Sequence, residues 1–168
     1  MEKTISIERE KISILIKFAL LMGIVMLAPV FHQQAFTGMM VNATLFLAVY
    51  IIGLRGALLL GTIPSLIALA NGTLPFVLLS MVPFIIAGNA ILATVFHILR
   101  IRSFWLGSVC ASFLKFIFLF ASSSVIADLV LKKEIAKSVL MMMSWPQLFT
   151  ALAGSVLAYV ILKGIKRI

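Results

Sequence analysis

Long apolar runs, broken by short polar or basic punctuation, follow one another along almost the whole chain. A helix crossing a hydrocarbon core about 30 Å thick needs roughly 20 mostly apolar residues. Runs of about that kind fall at residues 12–31, 36–54, 56–70, 74–99, 104–127 and 145–162. The first has a basic start like a signal peptide. Its apolar stretch is long, and Ala28-Pro29-Val30 makes a poor cleavage site, so a retained helix is expected. The second and third runs are short and meet at Gly53-Leu54-Arg55-Gly56. A re-entrant hairpin would bury Arg55, so two thin or tilted spans with Arg55 at an interface are expected. Asn71-Gly72 makes the next turn. In the fourth run Pro75 sits near the start, whereas Pro83 predicts an internal kink and a freed carbonyl. The pattern predicts an all-α integral membrane protein: a six-transmembrane-helix bundle forming one membrane domain over residues 1–168.

One connection has a different periodicity. Between Asp128 and Met143, Leu131, Ile135, Val139 and Met142 recur at helical spacing, with Asp128/Lys132 and Lys133/Lys137 four apart. This predicts a short amphipathic outer helix between spans five and six, lying on the membrane surface as a connector or as a lid over an outward pocket.

Composition sharpens the picture. Of 168 residues, 63% are hydrophobic and 11% charged, against about a quarter charged in soluble domains. The net charge of +9 does not point to nucleic acid, because the basic residues lie in short clusters between apolar runs and not in one stripe. With the N-terminus inside, Lys3, Arg9, Lys11, Lys17, Arg55, Arg100, Arg102, Lys163, Lys166 and Arg167 fall on the cytoplasmic side, and Lys132, Lys133 and Lys137 outside. That bias, ten against three, places both termini in the cytoplasm. The single cysteine, Cys110, excludes an internal disulfide and a cysteine-based metal site.

Polar residues inside lipid need partners, so their positions carry information. His32, Gln33 and Gln34 follow the first run, Asn42 lies in the second, Asn71 ends the third, Asn89 lies near mid-depth in the fourth, and Lys115 is almost central in the fifth. A lysine at mid-bilayer costs about 2.5–3.5 kcal/mol on insertion scales. No Asp or Glu lies between Lys11 and Ala127 to pair with it. Four resolutions are open: an anionic ligand such as a carboxylate or phosphate, a partner protein's acidic residue, snorkelling of the side chain toward an interface, or hydrogen bonding to Asn89 and to carbonyls freed near Pro83. Asn42 and Asn89 have a second role open to them, as bridges between helices.

The missing carboxylates also argue against a proton- or sodium-coupled carrier. No nucleotide-binding loop, GxSxG or HExxH motif is present, so neither an enzyme nor an autonomous pump is expected, and no cofactor or metal. A binding subunit driven by another component's energy fits better, with a structural or assembly subunit of a membrane complex as the alternative. Small residues four apart permit close helix approach, for external docking or for internal packing: Ala19/Gly23, Gly107/Ala111 and Gly154/Ala158.

Taken together, these residues resemble the substrate-binding S components of energy-coupling factor vitamin transporters. Ala19-x-x-x-Gly23 is similar to that family's alanine pair for contacting the coupling subunit, with Gly23 replacing the second alanine. His32-Gln33-Gln34-Ala35-Phe36-Thr37-Gly38, Asn42, Pro64-Ser65-Leu66-Ile67-Ala68-Leu69 and Pro83-Phe84-Ile85-Ile86-Ala87-Gly88-Asn89 resemble one branch of the group, without a signature for riboflavin, thiamine, biotin or folate. The resemblance implies a multi-pass protein of a prokaryotic cell membrane. Such a protein captures a vitamin or similar small molecule from outside, and a coupling transmembrane subunit and cytoplasmic ATPases then drive release. It implies a pocket built from His32, Gln33, Gln34, Asn42, Asn71, Asn89 and Lys115, with Ala19 and Gly23 facing the coupling subunit.

Overall fold

The computed structural model describes residues 2–31, 33–70, 76–129 and 133–168. Among them the regular structure is helical, with no strand. The α-helices are α1 (Glu2–Leu27), α2 (Gln34–Ile51), α3 (Gly53–Ala70), α4 (Val82–Leu99), α5 (Phe104–Leu129), α6 (Lys133–Met143) and α7 (Trp145–Gly164). Tighter 3-10 segments, Ala28–Phe31 and Phe76–Met81, lead toward α2 and into α4.

Four described segments are long and apolar enough to cross a membrane: Gln34–Ile51, Leu79–Leu99, Phe104–Leu129 and Ile135–Gly164. Gly53–Ile67 is a shorter apolar helix. α1 is long, but it carries Glu8, Arg9, Glu10, Lys11 and Lys17. Many large apolar side chains lie on the surface, while several polar ones are buried. Leu20, Ile98, Phe113 and Val160 are exposed, whereas Asn42, Asn89 and Lys115 are 1%, 4% and 4% exposed. Such a surface is compatible with a multi-pass membrane protein.

Packing contacts fix the helix directions. A Cβ on Gly38 would meet Thr150, and one on Gly154 would meet Met39 and Ala43, so α2 and α7 run parallel. Phe46 meets Phe96, and Tyr50 lies under Arg100, so α4 runs the same way. α5 runs opposite, pairing Phe104 with Tyr159 at one end and Phe116 with Trp145 toward the other. α2 and α3 form a tight hairpin in which only Ile52 separates the helices; Gly53 turns at φ +82, a conformation that costs little without a Cβ. The hairpin and the α4–α5 connection therefore share one end with the C-terminus. Arg55, Arg100, Arg102, Lys163, Lys166 and Arg167 cluster in sequence around these connections.

That basic end is tightly packed. Phe46 and Phe96 meet edge-on at 4.7 Å, and Phe96 and Phe104 at 5.3 Å, both near perpendicular. Such pairs contribute about 0.5–1.5 kcal/mol beyond simple contact. Leu45, Leu60, Leu92, Ala111, Ala158 and Leu162 complete this core. A smaller cluster around Met81, Leu119, Val139 and Met143 ties α6 to α5 and to the Phe76–Met81 segment.

Several local expectations change. Pro83 lies in the first turn of α4, where a missing N–H is tolerated, so it does not kink an internal segment; the irregular backbone precedes it. Asp128 belongs to α5, and the amphipathic helix begins at Lys133. Leu131 and Lys132 lie outside the described residues. The Val139 side of α6 packs into the bundle.

Candidate functional site

Near their midpoints, α2, α4 and α5 turn Asn42, Asn89 and Lys115 inward. Lys115 Nζ donates to Asn42 Oδ1 at 2.6 Å and to Asn89 Oδ1 at 2.8 Å. Two carbonyl oxygens facing one lysine head suit an ammonium, which has three donors and no acceptor. The amides are engaged on their other side as well. Asn42 Nδ2 donates to Thr150 Oγ1 at 3.4 Å, and Asn89 Nδ2 donates to the Gly61 carbonyl at 3.0 Å. Thr150 in turn donates to the Gln147 carbonyl at 3.2 Å. One connected network thus ties α2, α3, α4, α5 and α7 together. Buried polar groups persist when each has a partner, and neutral partners satisfy the geometry of Lys115 while leaving its charge unbalanced.

Backbone approach lets these groups meet. A Cβ on Gly154 would lie 2.8 Å from both the Met39 carbonyl and the Ala43 nitrogen, so glycine is required where α7 crosses α2. At Gly61, a Cβ would come within 3.1 Å of Asn89.

The network forms one wall of a cavity of about 480 Å³. Its apolar walls include Val25, Val41, Leu60, Pro64, Ile85 and Met143. Gln34 from the start of α2 and Gln147 from the start of α7 lie toward the end opposite the basic cluster. The volume falls within the roughly 300–1,000 Å³ of small-molecule sites, as does the combination of apolar walls with a few polar groups. Lys115 is the one ionisable residue among the described residues that line it. No group of His, Cys, Asp and Glu able to hold a metal ion occurs among the described residues.

Of the sequence-derived candidates, Gln34, Asn42, Asn89 and Lys115 share this cavity. Gln33 does not: it is exposed ahead of α2, where its carbonyl accepts from the Thr37 N–H. His32 and Asn71 lie outside the described residues. Lys115 bonds to Asn89 as one of the open readings has it, and to Asn42 instead of carbonyls near Pro83. Gln147 and Thr150 were missed by sequence reasoning; their signal was two polar residues three apart in the first turns of the last apolar run.

The three small-residue pairs also separate. Cβ atoms on Gly107 and Gly154 would press into neighbouring helices, so those pairs serve internal packing. A Cβ on Gly23 would meet nothing within 4 Å, and Ala19 is exposed. In comparisons with known proteins, the chain matches no family model, no curated protein and no solved structure.

Proposed function

We propose that this chain is a substrate-capture subunit of a membrane importer, holding a small anionic molecule in the cavity beside Lys115. The cavity carries this reading: about 480 Å³ of space bordered by a buried cation whose hydrogen-bond partners are neutral. A ligand anion supplies what the fold withholds. In this reading α1, α2, α3, α4, α5 and α7 form six spans, and α6 lies at the outer end. The basic end faces the cytoplasm by the positive-inside rule, so the cavity lies toward the outside.

The absence of carboxylates from residue 12 to residue 127 gives the chain no evident ion path, which favours an external energy source. The reading therefore includes a coupling transmembrane subunit and cytoplasmic ATPases, as in energy-coupling factor vitamin transporters. Ala19 and Gly23 fit the docking face, because α1 leaves them open beside exposed Leu15, Ile16 and Leu20. An assembly subunit with Lys115 paired to a partner's acid is less well supported: Lys115 is turned into the bundle and 4% exposed.

Two measurements test the proposal. Purified protein analysed for retained small molecules, with melting followed across a metabolite panel, is expected to yield a bound compound or a stabilising one. The absence of both retention and any shift across the panel contradicts capture. Ala19→Leu or Gly23→Leu is expected to abolish recovery of partner subunits while ligand binding persists; normal recovery rejects that face.

A further inference from the structure

Resting on the capture reading, the donor and charge balance of the cavity narrows its ligand. Each carbonyl oxygen of the deep amides already accepts one hydrogen bond from Lys115. The Thr150 hydroxyl gives its proton to the Gln147 carbonyl, and Thr37, also lining the cavity, donates to the Ala28 carbonyl at 3.1 Å. Three N–H groups remain unspent at the deep end: the third on Lys115 and a second on each of Asn42 and Asn89. N–H donors gathered around a cation suit an oxyanion.

Charge then sets the number of anionic groups at one. Lys115 is the one ionisable residue among the described lining residues, and the basic cluster belongs to the other end of the bundle. A dianion, such as a phosphate monoester, would leave one negative charge buried without a partner, and a cation would meet Lys115 with repulsion. The walls at Val41, Leu60, Pro64 and Ile85 offer little to a second polar group until Gln34 and Gln147 at the opposite end.

We propose that the cavity selects a monocarboxylate with an apolar body, its carboxylate seated on Lys115 between Asn42 and Asn89. Phosphorylated, dianionic and cationic compounds are excluded.

The test uses the full chain in detergent and four probes sharing one body: phenylbutanoate, phenylbutanamide, phenylbutylamine and phenylbutyl phosphate. Melting and calorimetry are read for wild type, Lys115→Met and Ser65→Trp; Ser65 lines the cavity, so Trp fills it. The proposal expects phenylbutanoate to bind best, Lys115→Met to weaken it on the order of tenfold to a hundredfold, and Ser65→Trp to abolish it. Should the amide, amine or phosphate bind as well as the acid, with Lys115→Met without effect but Ser65→Trp still abolishing binding, the carboxylate class is overturned and capture stands. Binding that survives Ser65→Trp, or no binding by any probe, overturns the class and counts against the cavity as a capture site. Circular dichroism of each variant confirms that loss of binding is not loss of fold.

Discussion

The same helices build two unlike halves. Toward the basic end, α2, α4, α5 and α7 fill the space between them with rings: Phe46, Phe96 and Phe104 in the centre, with Tyr50 and Tyr159 beside them. About one turn away on α2 and two on α4, Asn42 and Asn89 replace rings, Lys115 joins them from α5, and the helices leave a cavity instead of closing. In lipid the difference matters, because helices gain little from hiding apolar surface from tails that are equally apolar; they associate through close packing and polar contacts. The ring-filled half therefore holds the bundle mainly through packing, with Arg100 over the Tyr50 ring at its edge. The cavity half is tied together by four hydrogen bonds between helices, continued along α7 from Thr150 to Gln147, and it retains one charge that its neutral partners leave unbalanced. A structural bundle has no need of that charge.

The contrast can be broken most strongly from the packed side. Phe96→Ala removes the ring shared by Phe46, Tyr50 and Phe104 and is expected to destabilise the protein by about 3–5 kcal/mol, read as a lowered Tm in detergent. Next comes the α2–α7 crossing. Gly154→Ala forces a Cβ against two backbone atoms and is expected to cost about 1–3 kcal/mol, again read by melting; an unchanged Tm would refute the close approach. On the cavity side, Asn89→Ala strips Lys115 of one acceptor and the Gly61 carbonyl of its donor. An expected loss of about 1–3 kcal/mol is to be partly restored by adding Lys115→Met, since the double variant no longer buries a poorly partnered cation. A double variant less stable than Asn89→Ala would contradict that coupling. The smallest effect belongs to Gly23→Ala, where nothing obstructs a Cβ. Helix propensity alone predicts a gain of up to about 1 kcal/mol, so a marked loss would mean that α1 packs differently.

Much of this was legible before any coordinates. Run lengths predicted helices where α2 to α5 and α7 occur, and Lys115 stood out as a cation at mid-run with no acid near it in sequence. Helix rotation was not legible. Nothing in the spacing of Asn42, Asn89 and Lys115 says that three side chains from α2, α4 and α5 converge, because α2, α4 and α5 have apolar residues on all faces and so lack a directional stripe. For the same reason Gly107, Gly154 and Gly23 look alike as sequence patterns; only the neighbouring backbone divides the first two from the third. Pro83 was misjudged because a continuous apolar run conceals the change from 3-10 segment to α-helix at Val82. Gln147 and Thr150 are hard to single out because polar residues in the opening turns of a helix ordinarily mark its start.

The central claim is that the charge of Lys115 is kept for a ligand. Native mass spectrometry of wild type and Lys115→Met, purified alike, tests it most directly. The account predicts a small-molecule adduct on the wild type that disappears from a folded Lys115→Met protein. An equal adduct on both, or none on the wild type, would contradict it.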